Sequence, residues 1–171
     1  MSSSRGDMTE AVFNWIYGLP FSQVIRASSG LFAAIRFLHF YAVMFVVVSI
    51  SKVDLRLMGI AEKRTPVTEL LTEMLPWTWW SFVIAASTGI LLFMSKAPSF
   101  YDNESFRLKI LFIGLAGINT GVFHAFTYRG VAQWDSDVPT VFAAKLAGAL
   151  SLTLWIAAAV FGFRIQFTLG H

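Results

Sequence analysis

The stretch VFAAKLAGALSLTLWIAAAVFGF, residues 141–163, decides the fold of this chain. It contains a single charged residue, Lys145, and its apolar positions do not alternate with polar ones. An α-helix rises about 1.5 Å per residue, so this stretch can cross a hydrocarbon core about 30 Å thick. Only helices and closed barrels satisfy their backbone hydrogen bonds inside a bilayer, and continuous apolarity excludes a barrel. The stretch therefore predicts a membrane-spanning helix.

Three further segments upstream have the same character. They are residues 31–50, which continue toward Gly59, residues 77–94 and residues 108–126. Polar, turn-forming stretches separate all of these segments. The sequence therefore predicts an all-α fold, an integral membrane up-down four-helix bundle over residues 31–165. Residues 1–30 are expected to form a loose polar tail and an interfacial helix, and residues 166–171 a C-terminal tail.

Two short segments are predicted to lie along the membrane surface. Residues 11–26 carry apolar side chains at helical spacing and precede the first span. Residues 66–75 place four apolar side chains on one face, and Thr65 followed by Pro66 suits an N-cap and a first helical position. Pro76 is then expected to start the second span. The sequence predicts short interfacial helices before spans one and two.

Composition supports the membrane assignment. Of the 171 residues, 56% are hydrophobic and only 13% are charged, whereas about 25% charge is usual for a soluble domain. No cysteine is present, which excludes disulfides, thiolate metal sites and a cysteine nucleophile. The 13 Lys and Arg are scattered between apolar runs, so the net charge of +3 does not indicate nucleic-acid binding. They divide seven to six in favour of the side that holds both termini, which favours cytoplasmic termini.

Ionisable side chains inside membrane spans are costly, so each is a candidate functional residue. Within the predicted spans they are Arg36, His39, Lys109, His124 and Lys145. Lys109 and Lys145 lie near span ends, where long side chains are expected to reach the boundary. Arg36 is expected to do the same, and it shares a helix face with His39. For His39 two interpretations stay open: a neutral imidazole bonded to a neighbouring helix, or a metal ligand, haem ligand or proton carrier.

Asp54 and Arg56 lie where the first span leaves the bilayer. They are two residues apart, so on a helix they do not face each other, and each needs another partner. One interpretation is a pair that docks a partner or orients a ligand. The other is simple anchoring at the membrane boundary.

His124 shares a helix face with Gly117 and Gly121, which form a GxxxG pattern. Glycines at this spacing let another helix approach closely, so His124 is predicted to be buried in a helix contact. Asn119 and Thr120 add polar groups nearby in the sequence. The pattern predicts a packed, polar site on the third span.

Two histidines on two spans suggest a b-type haem held between them. Spans one and three run in the same direction, and counting residues separates the depths of His39 and His124 by roughly 10 Å. An axial pair on one iron needs nearly equal depths. The sequence thus predicts that these histidines do not share an iron, and haem b is the alternative cofactor hypothesis.

Several short motifs follow one another across all four predicted spans. They are Asp54–Gly59 (DLRLMG), Leu75–Trp80 (LPWTWW), Thr88–Gly89, Tyr101–Asn103, Phe106–Lys109, Leu115–Asn119, Phe123–His124 and Ser151–Trp155. With them the chain resembles an uncharacterised family of small bacterial four-helix membrane proteins, a domain of unknown function. The resemblance implies a bacterial inner membrane location, and the family pattern includes His39, Asp54, Arg56, Asn119 and His124. It implies no activity.

The leading function hypothesis is a non-enzymatic integral membrane protein, a partner or accessory subunit with a buried polar site. The lipid bilayer is one expected partner, and another membrane or periplasmic protein is a second. The rival hypothesis is a small membrane electron-transfer protein that binds haem b or a metal. A transporter is disfavoured, because four spans without broken helices or an inverted repeat do not fit that class.

Overall fold

The computed structural model describes residues 3–136 and 139–168. Within these residues all regular secondary structure is helical. In chain order they are α1 Ser3–Gly18, α2 Pro20–Ala27, α3 Ser29–Leu57, α4 Val67–Ser95, α5 Ala97–Tyr101, α6 Glu104–Val122 and α7 Phe142–Thr168. A π-helical turn, Phe123–Thr127, and a 3₁₀ helix, Tyr128–Gln133, extend α6. Four helices, α3, α4, α7 and the extended α6, are long and apolar enough to cross a membrane. The all-α fold with four long apolar helices is confirmed.

The four long helices pack antiparallel in the order α4, α3, α7, α6. Helix α3 contacts α4 and α7, and α7 contacts α6. Only 11–22% of each apolar window is buried inside the protein, so most of the apolar surface faces outward, as lipid contact requires. We call the side with the start of α3 and the end of α7 the terminal side. The loops 58–66 and 134–141 lie on the opposite side.

Helix α3 continues past the apolar run, as the sequence predicts. It ends in a turn in which the Ile60 N–H donates to the Leu55 carbonyl at 2.9 Å. Gly59 has a φ of +73°, a left-handed conformation that this C-terminal turn requires and that glycine adopts without strain. At the other end the Ser28 hydroxyl accepts a hydrogen bond from the Leu31 N–H at 3.2 Å.

Helix α4 corrects the prediction of a separate surface helix. Residues 66–75 are helical from Val67 onward, with Leu70 and Leu71 only 1% and 8% exposed. The helix does not stop at Pro76, however, but runs on without a break to Ser95. A proline removes one backbone hydrogen bond, but the helix continues through the exposed Pro76.

The cap of α4 comes from a distant loop. Thr65 does not cap the helix, because its hydroxyl donates to the Glu62 carboxylate at 3.2 Å. Asp135 does so: its carboxylate accepts from the Thr68 N–H at 2.8 Å and the Thr68 hydroxyl at 2.6 Å, and its carbonyl accepts from the Val67 N–H at 3.2 Å. Partial burial acts to raise the pKa of Asp135, but these hydrogen bonds hold the pKa below its ordinary value.

The N-terminal segment is more ordered than the sequence predicts. Helix α1 begins at Ser3, so the expectation of a loose tail is wrong for residues 3–10. The Phe13 ring lies 4.6 Å from the Tyr101 ring and 5.9 Å from the Phe93 ring, between centroids, and these contacts hold α1 against α4 and α5. The C-terminal tail is helical as far as Thr168, and residues 169–171 lie outside the described part of the chain.

Candidate functional site

Asp54 is held at the contact between α3 and α7. Ala144, Gly148 and Ser151 form a buried stripe of small residues along α7. A Cβ atom at Gly148 would lie 2.9 Å from the Asp54 carbonyl oxygen, so only glycine permits this approach of α3. As a result the Asp54 side chain is carried into the interior, where the residue is only 4% exposed.

Two buried polar atoms lack a hydrogen-bond partner among the described residues. They are Asp54 Oδ2 and Trp155 Nε1. Ser151 lies between them on α7, with its hydroxyl beside the Asp54 carboxyl. Leaving a buried polar group unpaired costs about 1–3 kcal/mol, and more for a charged group, so such groups call for an explanation.

Both atoms belong to residues that line one cavity of about 270 Å³. Its floor comes from the central helices and is mostly buried: Val46, Asp54 and Leu57 on α3, and Ser151 and Trp155 on α7. Its rim comes from the flanking helices and is exposed: Leu75 and Trp79 on α4, and Gly117, Thr120 and His124 on α6. Because α4 and α6 stand at the two ends of the helix order, the cavity opens sideways between them.

The sequence interpretation of the GxxxG pattern is wrong. A Cβ atom at either Gly117 or Gly121 would meet no other atom within 4 Å. His124 is accordingly exposed rather than buried, and its Nδ1 is bonded to the Thr120 carbonyl of its own helix at 3.0 Å. The close helix contact is made instead by Gly148, in the pattern Ala144-x-x-x-Gly148.

A change of helix geometry sets the position of His124. At Phe123–Thr127 the helix widens to a π-helical turn, which buries Phe123 and leaves His124 on the cavity rim. Such turns are often found at functional sites. Asn119, one turn earlier, donates its side-chain N–H to the Ala147 carbonyl at 2.9 Å and so fastens α6 to α7.

His39 belongs to a second, separate cluster toward the terminal side. Lys109 Nζ lies 3.3 Å from His39 Nε2, so the ammonium donates and Nε2 accepts. The Nδ1–H is thereby assigned as the donor to the Ala85 carbonyl at 2.9 Å, beside the Thr88 hydroxyl at 3.1 Å. Gly89 makes room for the ring, because a Cβ there would lie 3.1 Å from His39 Cε1. The structure thus favours the first interpretation of His39, a neutral imidazole bonded to neighbouring helices.

Lys109 does not extend to the boundary as expected. It turns inward to His39 and packs on Gly162 of α7, where a Cβ would lie 3.3 Å from its Nζ. In this position Lys109 Nζ has the His39 imidazole as its hydrogen-bond partner instead of water at the membrane boundary. Arg36 and Lys145 are exposed, which agrees with side chains that extend away from the bundle.

Arg56 joins two loops on the opposite side of the bundle. It is 3% exposed, and its guanidinium donates to the Thr65 carbonyl at 2.7 Å, the Asp135 carbonyl at 2.9 Å and the Thr140 hydroxyl at 3.1 Å. Asp54 faces α7 instead, so the two side chains do not pair with each other. Arg56 thus joins the loops 58–66 and 134–141, to which all three of its acceptors belong.

The two histidines lie in different clusters, as predicted. His39 contacts Lys109, whereas His124 lies fifteen residues further along the same helix, a rise of roughly 22 Å. Within residues 3–136 and 139–168 there is also no group of three or more His, Cys, Asp or Glu that could hold a metal ion. A haem shared by His39 and His124 therefore does not fit this arrangement.

Comparisons with protein families, with curated proteins and with solved structures gave no match. The resemblance to an uncharacterised bacterial family therefore stays a hypothesis, and the case for function rests on the geometry of the cavity.

Proposed function

We propose that this protein is a non-enzymatic integral membrane protein that binds a lipid-soluble molecule in the cavity between α4 and α6. One observation carries the proposal: an apolar cavity opens sideways between two membrane-spanning helices and has in its floor the buried Asp54 carboxyl group, one oxygen of which is unpaired. An apolar cavity of about 150 Å³ is already enough to bind benzene, so about 270 Å³ holds a larger apolar group.

The direction of the opening supports a ligand that comes from the bilayer. The exposed rim residues Leu75 and Trp79 lie on a helix whose apolar surface faces outward, so the mouth of the cavity faces lipid. A molecule dissolved in the membrane reaches such a mouth without crossing water. A bacterial inner membrane is part of the proposal and is supported by the motif resemblance alone, and the seven-to-six division of positive charges favours termini in the cytoplasm.

A binding role fits the side chains better than catalysis does. The cavity holds one carboxylate and, at its rim, one imidazole whose Nδ1 is occupied by the Thr120 carbonyl. A protein that holds a ligand without converting it suits the partner or accessory role expected from the sequence. His39 and Lys109 contact each other in a separate cluster and do not line the cavity, so they supply no catalytic group to it.

Photolabelling tests the proposal. The full chain in phosphatidylcholine nanodiscs is exposed to a fatty-acid methyl ester that carries a diazirine, and labelled peptides are identified by mass spectrometry. We expect labels on the rim peptides around Leu75–Trp79 and Gly117–His124, in excess over the rest of the lipid-facing surface.

Two matched variants provide the control. Gly117 lines the cavity and Gly121, one turn further on, does not, although both have open space around them. Gly117→Phe should block the mouth and remove the excess labelling, whereas Gly121→Phe should preserve it. Labelling spread evenly over all lipid-facing peptides in the wild-type protein would refute the proposal.

A further inference from the structure

The two unpaired polar atoms in the cavity lie on side chains that lean towards each other. Gly148 sits beside Asp54, and Trp155 is seven residues further along α7, about 10 Å away along the axis. Helical side chains tilt towards the N-terminus of their own helix, and α3 and α7 run antiparallel. Asp54 therefore tilts towards Trp155 and Trp155 towards Asp54, and both residues line the same cavity.

The chemistry of the two atoms limits what that group can be. The Trp155 indole N–H is a donor only and needs an acceptor, which an ammonium group cannot offer. The Asp54 carboxyl needs a donor when it is ionised and an acceptor when it is protonated, and a ketone or an ether serves only the protonated form. A hydroxyl group donates one hydrogen bond and accepts two, so it pairs with both atoms at once.

We infer that the cavity recognises the hydroxyl group of a membrane-soluble alcohol, with the hydroxyl between Asp54 and Trp155 and the apolar body directed out between α4 and α6. The inference rests on the proposed function and adds the chemical class of the ligand. The body of the ligand lies against apolar and aromatic lining residues, among them Val46, Leu71 and Phe82.

Alcohols and their methyl ethers give a direct test. The full chain in phosphatidylcholine nanodiscs is titrated with geranylgeraniol, a linear isoprenoid alcohol, and separately with cholesterol, a planar ring alcohol. Each is compared with its own methyl ether, which keeps the oxygen acceptor and loses the donor. Bound ligand is counted by native mass spectrometry at a fixed mole fraction in lipid.

At a pH high enough to ionise Asp54, we expect at least one of the two alcohols to bind about tenfold more tightly than its methyl ether, because the ether offers no hydrogen-bond donor to the carboxylate. Comparing the linear and the planar alcohol shows which of the two shapes of apolar body the cavity accepts. Asp54→Leu should remove the preference for the alcohol, so that the alcohol and its ether bind with similar affinities.

Trp155→Phe separates the second contact from the first. This substitution should lower the affinities for the alcohol and for the ether by the same factor, because both ligands carry the oxygen that accepts a hydrogen bond from the indole. Thr153→Val is the matched control, since Thr153 lies on the exposed face of the same helix and bonds to the Ala149 carbonyl of its own helix. It should change neither affinity.

The outcomes distinguish this inference from the proposed function. Equal binding of alcohol and ether by the wild-type protein would overturn the hydroxyl inference but leave the binding function in place. Binding of neither alcohol would overturn the inference too, and the diazirine labelling of the Gly117 and Gly121 variants then decides the fate of the proposed function. The wild-type comparison needs no variant, so a folding defect in Asp54→Leu would not remove the test.

Discussion

Replacing Gly148 with alanine is the sharpest test of how α3 and α7 are packed. A Cβ atom at this position would lie 2.9 Å from the Asp54 carbonyl oxygen and 3.1 Å from Leu57 Cβ. Ordinary carbon–oxygen contacts of this kind are about 3.3–3.6 Å and carbon–carbon contacts about 3.5–4.0 Å. The two helices must therefore separate by about half an ångström, because the nearest atom is backbone and cannot rotate away.

The size of the effect follows from two opposing terms. Forcing a methyl group into a packed contact costs about 1–3 kcal/mol, whereas alanine in a helix is favoured over glycine by about 0.5–1 kcal/mol. Gly148→Ala should therefore lower the free energy of unfolding by up to about 2.5 kcal/mol. Gly121→Ala should not lower it, because no atom lies within 4 Å of a Cβ there.

Reversible unfolding in mixed micelles of SDS and a mild detergent measures both variants under the same conditions. The two glycines lie in spanning segments of similar composition, so the difference between the variants isolates the close contact. A Gly148→Ala protein as stable as the Gly121→Ala protein, or more stable, would show that α3 and α7 are not held at the distance described.

Three further predictions use the same unfolding assay. Arg56→Lys should lower the free energy of unfolding by about 3 kcal/mol, because a lysine replaces only one of the three charged hydrogen bonds. Arg36→Lys, on the exposed face of α3, should lower it by less than about 0.5 kcal/mol. Equal effects of the two substitutions would refute the loop-joining role of Arg56. Lowering the pH from 7 to about 2 should destabilise the wild type more than Asp135→Asn. The ionised Asp135 contributes its full stabilisation above its unfolded-state pKa of about 3.9, and this stabilisation is lost as the pH falls through the lower pKa of the folded state. An identical pH dependence in the two proteins would count against the cap. His39→Ala should cost about 1–3 kcal/mol and His124→Ala less than about 0.5 kcal/mol, and the reverse order would restore a packed role for His124.

The fold could be predicted because lipid imposes a local rule. A span needs a long apolar run wherever it lies in the sequence, so α3, α4, α6 and α7 are all visible one by one. The boundaries were less accessible, because the extension of α6 to Gln133 and the continuation of α4 through Pro76 depend on what packs beside them.

The site could be predicted only in part. Asp54 was identified as a polar residue in need of a partner, because a charge near a membrane is costly wherever it lies. The choice between Gly117 and Gly148 could not be made, since both stand in small-x-x-x-small patterns and only the packing order of the helices decides which one faces a neighbour. Asp135 was missed as the cap of α4 because its partner Thr68 lies far away in sequence.

Helices α4 and α6 are joined at both ends of the cavity mouth. On the terminal side the Phe93 and Phe106 rings stack with centroids 5.4 Å apart, and on the opposite side Asp135 bonds to Thr68. The opening between α4 and α6 is thus held at both of its ends, so it does not widen freely. Separating α4 from α6 along their whole length therefore requires that both the Phe93–Phe106 stack and the bonds between Asp135 and Thr68 break.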